Sequence, residues 1–449
     1  MKKKTKLSFY TMSLAFIPML NSTSLSIIAE DVPTTRAIRD LSFQKKTSFD
    51  DSHPIKFELV PYLDLLEKAD HDLYEGTGLY DVILQYNTAL ANYISHNYLV
   101  SIVQMRKQFP HLLVNGTFPF EEDLFQNCWK EIGWYKTSSK TEEEAYVIPF
   151  TANSMIMAYN RELFTNESYQ REYREKYKKT LAPPQNWEEF KCMVEFFHRP
   201  NEKIYGICLQ GAPYFIYHEW ANFAFSFGGG LMKKKYGWEE SKDIPLLITT
   251  PETIHATQFY VDLKKFDASD DFLKTDAATQ VQVLKKKKCA LALVWSDVAY
   301  SLAYENGQPL GIYDFAPIPG NVSMLAGGSF YINRHSHNID AAMEFVLSQM
   351  NQERQIALMK TGLCSPLKSI YNSDEVQKIP YAHALKTSLE RGVYMLEAGA
   401  ESDAIIIIMS NLLQNLMRDS AKEERIARDL NLIEQEIRTI LKNSLKELK

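Results

Sequence analysis

One apolar extended run, Ala145–Tyr159 (AYVIPFTANSMIMAY), constrains the fold more than any other segment. A typical strand is about 5–6 residues long, and this run is about fifteen. Pro149 also removes a ladder donor from its first part. The run therefore reads either as two strands or as a strand that leaves one folded unit and enters another. Around it strands and helices alternate. Ile55–Val60 (IKFELV) has strand alternation, Leu63–Tyr74 sets Leu65, Leu66, Ala69 and Leu73 at helical spacing, and Asp81–Leu84 (DVIL) is a buried-type strand. Ala290–Val294 (ALALV) is a second buried-type strand, and from Ile339 onward the pattern is helical. This alternation predicts an α/β layer structure with a parallel core. With 449 residues the chain has room for two or three folded units, and its cores need no disulfide or metal staples.

The amino terminus reads as an export address. Met1–Lys6 (MKKKTK) is basic, and Leu7–Leu20 (LSFYTMSLAFIPML) is an apolar run. That run is shorter than the about 20 residues a membrane-spanning helix requires. Small residues follow, with Ser22 and Ser24 suited to the −3 and −1 positions of a cleavage site. A cleaved signal peptide over residues 1–24 is expected, and no Cys near the cut could carry a lipoprotein's acyl chain. The expected product is soluble and periplasmic.

The formal charge of −6 argues against a nucleic-acid partner, whose phosphates would have to be neutralised by Lys and Arg. The lysine runs Lys233–Lys235 and Lys285–Lys288 read as a solvated turn and a helix end. The five cysteines lack metal-ligand spacing, so mostly buried thiols and no zinc are expected. No GxSxG, HExxH, Walker loop or strand-following GxGxxG is present. His335 and His337 lie in a polar turn, NRHSHN. No cofactor, metal or catalytic residue is expected. Aromatic residues make up 12%, which serves a core or a carbohydrate cleft equally well.

Several segments in order resemble the bacterial extracellular solute-binding proteins of the sugar-type family 1, the receptors of ABC importers. Ile55–Tyr62, Gly76-Thr77-Gly78 and Tyr80–Ile83 are similar to that family's opening βαβ unit, and Tyr98-Leu99 to its next step. Ile148-Pro149-Phe150 through Tyr159-Asn160-Arg161-Glu162-Leu163-Phe164 resembles its first crossing strand. Pro184–Phe190 is similar to its P-x-T/N-W-x-E-F helix start. Tyr205-Gly206, Glu219-Trp220, Gly228–Gly230, Ala290–Trp295, Pro317–Gly320, Gly327–Ile332 and Ala341–Phe345 continue the likeness, which spans about residues 25 to 370.

The resemblance implies an α/β, two-lobe periplasmic-binding-protein fold of type II, with three chain crossings and the ligand cleft between the lobes. Residues 25–149 are expected in lobe 1, with 295–345 returning to it, and 150–294 in lobe 2, with 346–449 returning. It further implies a small polar solute, a sugar or polyol, bound by hinge closure and handed to ABC permease subunits by a monomer. A secreted carbohydrate-active hydrolase with paired carboxylates in the same cleft is the alternative. Carried over position by position, the cleft would be lined by Glu30, Asp31 and Arg36, then Gln85, Tyr86 and Asn87. Asn153 follows on the first crossing strand and His218, Glu219 and Trp220 before the glycine turn. Trp295 and Asp297 come from the second crossing strand, and Gly328, Ser329 and Phe330 from the final return. Such residues suit a polyol, since carboxylates and amides bond to hydroxyls while aromatic faces cover C–H surfaces. One stretch departs from the family. Val393–Ile408 holds Glu401, Ser402 and Asp403 where sugar receptors often place an aromatic platform, with Tyr394 as its one aromatic residue. This puts an oligosaccharide platform in doubt and leaves room for a small sugar, a polyol or a cationic solute.

Overall fold

The computed structural model describes residues 24–44, 54–135, 143–232, 246–286, 288–320, 322–391, 393–394 and 402–447. The expected signal peptide (apart from Ser24), Lys233–Lys235 and Glu401 lie outside the described residues. Two sheets organise the chain. The first contains β1 (Leu25–Glu30), β2 (Ile55–Val60), β3 (Val82–Tyr86) and β4 (Ile148–Pro149). The second contains β5 (Asn153–Asn160), β6 (Ile204–Ile207), β7 (Lys288–Trp295), β8 (Tyr313–Pro317) and β9 (Ser323–Ala326). β10 (Gly328–Ile332) returns to the first sheet and β11 (Val393–Tyr394) to the second. The first sheet runs β2-β1-β3-β10-β4 and the second β11-β9-β5-β7-β6, with β8 also paired to β5.

The expected parallel core is present in the first sheet, where β1 pairs β2 and β3 in parallel. The second sheet is mixed: β5 and β7 are antiparallel, while β6 joins β7 and β11 joins β9 in parallel. The long apolar run resolves into separate strands serving separate sheets. β4 lies against β10, β5 lies against β7, and Phe150–Ala152 pass between them. Gly327 alone separates β9 from β10 and makes a second crossing. The helix Ala382–Arg391, packed on β5 and β8, precedes β11.

The chain returns later than expected. Within 295–345, β8 and β9 still pair with β5, so the return to the first sheet begins at Gly328. Within 346–449, a helix over Gln352–Met359 packs on the helix Pro33–Gln44 of the first lobe. Pairing to the second sheet resumes only at Val393. One continuous buried cluster joins the first sheet to one face of the second. The opposite face of the second sheet carries its own cluster, closed by the helices Phe215–Ser226, Pro251–Leu263, Ser402–Arg418 and Glu423–Glu447.

Local signals explain much of this. Asn186 caps the helix Trp187–Phe197 by accepting from the Glu189 N–H at 2.9 Å, and Glu188 and Glu189 complement its dipole. Gly76-Thr77-Gly78 closes the helix Tyr62–Glu75, with Gly76 in the left-handed region. The NRHSHN turn packs directly on these glycines. All five cysteines are unbridged, and Cys128, Cys208, Cys289 and Cys364 are buried. Among the described residues no helix is long and apolar enough to cross a membrane.

Gly78 has φ +65°, and a Cβ there would overlap the carbonyl oxygen of His335. Gly78→Ala should therefore lower stability by about 2 kcal/mol or more, read as an earlier urea midpoint with an unchanged slope.

Candidate ligand-binding cleft

The three parallel strands of the first sheet all end on the same side, where open α/β sheets bind ligands. β1 ends at Glu30 and β3 at Tyr86, while β2 is followed by Pro61 and then Tyr62, the first residue of its helix. The Tyr86 hydroxyl donates to Glu30 Oε2 at 2.6 Å, and the Tyr62 ring lies 5.9 Å from that of Tyr86. Burial, the neighbouring Glu30 charge and the charge of Asp297 push the Tyr86 phenol far above its ordinary range. At the rim Asp31 and Arg36 form an ion pair at 2.6 Å, which holds the carboxyl below its usual range.

The crossing strands supply the floor. Asn153 opens β5, and Asp297 lies in the first turn of the helix Ser296–Ala303, directly after β7. The Asn153 amide donates to Asp297 Oδ2 at 3.1 Å and accepts from the Thr151 hydroxyl at 3.1 Å. Burial raises the Asp297 carboxyl. Beside it the ring of His218 meets Trp295 edge-on, with centroids 5.6 Å apart. Burial pushes His218 down to about 4.

The second lobe adds Tyr214, which the sequence reading did not select, and Asp403, which it named only as standing where an aromatic platform would be. Tyr214 precedes the helix Phe215–Ser226 with φ +66°, a conformation costly for any residue but glycine, and its N–H donates to Ser410 Oγ at 3.1 Å. Asp403 lies in the first turn of the helix Ser402–Arg418, with its carboxyl raised by burial. Tyr214 and Asp403 both lie near enough to act electrostatically on Tyr62, whose phenol is raised chiefly by burial. Side chains of the two lobes are therefore close enough here to influence one another's charge. A signal for Tyr62 was available, since it follows β2 as the carried-over residues follow β1 and β3. Tyr214 depends on a backbone angle that no motif announces.

Of the residues carried over from sequence, Glu30 contacts Tyr86, Asn153 contacts Asp297 and His218 contacts Trp295, with Asp31 and Arg36 at the edge; Trp295 is itself buried in the second lobe's core cluster. Asn87 is largely buried at the hinge, where its N–H donates to the Gly327 carbonyl at 3.3 Å. Others do not face the cleft. Trp220 is fully buried in the second lobe, its indole N–H donating to Thr257 at 3.0 Å. Glu219 is fully buried beside it, accepting from the Tyr260 hydroxyl at 2.8 Å and the Gln210 N–H at 3.0 Å. Phe330 packs against Phe150 and Phe345 in the first core. Gln85 and Ser329 are buried opposite each other in the first sheet. Gly328 is filled against the Phe150 ring, and its carbonyl accepts from the Phe150 N–H at 2.9 Å. On a strand the residue next to a cleft position turns to the opposite face, as Gln85 does beside Tyr86, whereas Glu219 and Trp220 lie on the helix Phe215–Ser226 and rotate from His218 into the core.

Burial raises Glu219 from an ordinary 4.5 to about 8, so the folded protein keeps a proton there that the unfolded chain releases, and stability falls as pH rises through that window. His218 acts oppositely, since the unfolded chain is protonated below 6.5 and the folded one only below about 4. The two oppose each other in mild acid, and above neutrality only Glu219 remains. The melting temperature should therefore fall between pH 6.5 and 8, and Glu219→Gln should remove that fall in calorimetry.

Comparison with known proteins places the chain. A maltotriose-binding protein from Pyrococcus abyssi is 23% identical over 289 residues, 61% of this chain and 55% of that relative. The chain thus spans about half the length of this curated relative. The sugar-binding protein MalE of Xanthomonas citri superposes with a TM-score of 0.72 at 16% identity, covering 94% of this chain and 98% of that one. An ABC transporter solute-binding protein from Agrobacterium radiobacter K84, in complex with ribitol, gives 0.71 at 16% identity, covering 94% and 99%. The fold is that of the type II periplasmic sugar-binding proteins. Residues 53–347 match the family described as bacterial extracellular solute-binding protein, and the chain belongs to that family.

Proposed function

We propose that the chain is the solute-receiving component of an ABC importer and binds a small neutral polyhydroxylated solute, a sugar or polyol, by closing its lobes over it. The sets Glu30–Tyr86–Tyr62 and Asp297–Tyr214–Asp403 carry this reading. Carboxylates accept from hydroxyls, phenols both donate and accept, and tyrosine rings cover C–H faces. The fully charged base among the named cleft side chains, Arg36, is already paired with Asp31. The cleft is therefore acidic and disfavours anionic solutes such as sugar phosphates. A solute touching both sets exists only in the closed arrangement, so binding shifts the population toward closure, the signal a permease can read. The hydrolase alternative gains nothing from the geometry, because Glu30 is held by Tyr86 and Asp297 by Asn153, and neither stands free as an acid–base pair.

The family relatives' polyol and sugar complexes support this ligand class, and the basic, then apolar amino-terminal segment supports export. Export would yield a mature amino terminus just after Ser24, which intact-mass measurement of the secreted protein reads directly. A thermal-shift panel of ribitol, mannitol, maltose and glucose 6-phosphate tests the ligand class. A saturating neutral solute should add about 3 kcal/mol at one hundred times its dissociation constant. Tyr86→Ala and Asp297→Ala should each weaken that solute at least tenfold by calorimetry, and stabilisation by the phosphate ester alone would sink the proposal.

A further inference from the structure

A second concavity lies outside the cleft, on the far side of the first lobe. Its volume is about 350 Å³, and its walls are Asp70, His71, Tyr74, Asn92, His96 and Tyr98. Asp70, His71 and Tyr74 come from the helix that begins at Tyr62, and at 1.5 Å per residue they stand roughly 12–18 Å along its axis from the cleft. The opposite wall is the short helix Leu90–Ser95 and the chain just after it.

The side chains here are oriented. The Tyr93 hydroxyl donates to Asp70 Oδ1 at 2.8 Å, leaving the other carboxylate oxygen for the concavity, and desolvation raises the Asp70 carboxyl. His96 Nδ1 lies 2.9 Å from the Asn92 backbone carbonyl oxygen, which can only accept, so Nδ1 carries a proton and Nε2 is the ring nitrogen left for a ligand. The His96 ring lies stacked on Tyr98, with centroids 5.3 Å apart and planes 16° apart. Tyr74 is 77% exposed, a large aromatic face presented to solvent. The concavity thus combines aromatic faces with a carboxylate, an imidazole acceptor and the Asn92 amide.

We propose that this concavity is a second saccharide site, taking one pyranose ring against Tyr74 and the His96–Tyr98 stack. Ring hydroxyls donate to Asp70 and to His96 Nε2, and the Asn92 amide both donates and accepts, so the donor–acceptor set fits vicinal hydroxyls. An ammonium ion could donate to Asp70, to His96 Nε2 and to the Asn92 amide oxygen, but only a solute whose hydroxyls also accept makes use of the Asn92 NH2 group. The site needs no lobe closure, because all six residues belong to the first lobe. Its affinity is therefore weak, and it is independent of what the cleft holds.

The test uses the full chain with its cleft silenced by Tyr86→Ala and Asp297→Ala, so the result does not depend on the cleft's ligand. Saturation-transfer NMR is run with the methyl pyranosides of glucose, galactose and mannose, with glucosamine, and with methylammonium as the cationic control. Saturable millimolar binding of at least one pyranoside is expected. It should weaken at least tenfold in Tyr74→Ala and in His96→Ala, both exposed positions whose change should leave the melting temperature unaltered. In the chain with an intact cleft, neither substitution should alter cleft affinity. Binding by none of the sugars, binding that survives both substitutions, or methylammonium binding as tightly as the sugars overturns the proposal.

Discussion

Two crossing strands run side by side, and the rest of the structure hangs on that contact. The Phe150 N–H donates to the Gly328 carbonyl at 2.9 Å, and the Ala152 N–H and Thr151 hydroxyl reach the Cys364 carbonyl at 2.8 and 3.0 Å. Side chains are excluded from the second crossing because Cβ atoms at Gly327 and Gly328 would overlap Ile132 and the Phe150 ring. The cleft floor begins one residue beyond, at Asn153, which joins the first crossing to the second-sheet turn through Asp297. A backbone contact stabilised by packing thus fixes the spacing of the polar groups that a solute would meet.

The division of labour between cores follows from the same arrangement. The large continuous cluster spans the crossings, so the two sheets share apolar burial instead of meeting only through a linker. The second lobe's own cluster is dense in aromatic rings, including Trp187, Phe223, Phe259 and Tyr260. Within it the buried Glu219 is a polar liability held by Tyr260 and the Gln210 backbone, a cost that apolar packing around it must offset.

Much of the fold was legible because its signals are local. Strand alternation, the Asn186 cap and the glycine turn at Gly76–Gly78 each depend on a few neighbouring residues. The overlong run Ala145–Tyr159 read either as two strands or as a strand passing between units, and it resolves into two strands serving separate sheets. Where the chain returned was less legible, since β8 and β9 pair with β5 across more than 150 residues of sequence, and nothing in them names their partner. The cleft was half legible. Strand ends such as Glu30 and Tyr86 are fixed by topology, whereas Glu219 and Trp220 sit within one or two positions of His218 on a helix and rotate into the core. Tyr214 required knowing a left-handed backbone, and Asp403 required knowing which face of a late helix closes over the first lobe.

Gly327 has a mechanical consequence. With a single residue between β9 and β10, that crossing has no slack, and the neighbouring crossing is tied to it by hydrogen bonds. Relative motion of the lobes must then be taken up by a few backbone torsions, which makes it a rotation about a nearly fixed axis and not a translation. The gap near such an axis changes little, while the gap at the far rim changes most. In the proposed cleft, the floor at Asn153 and Asp297 would keep a nearly constant width, while the walls at Tyr62 and Tyr214 would move most.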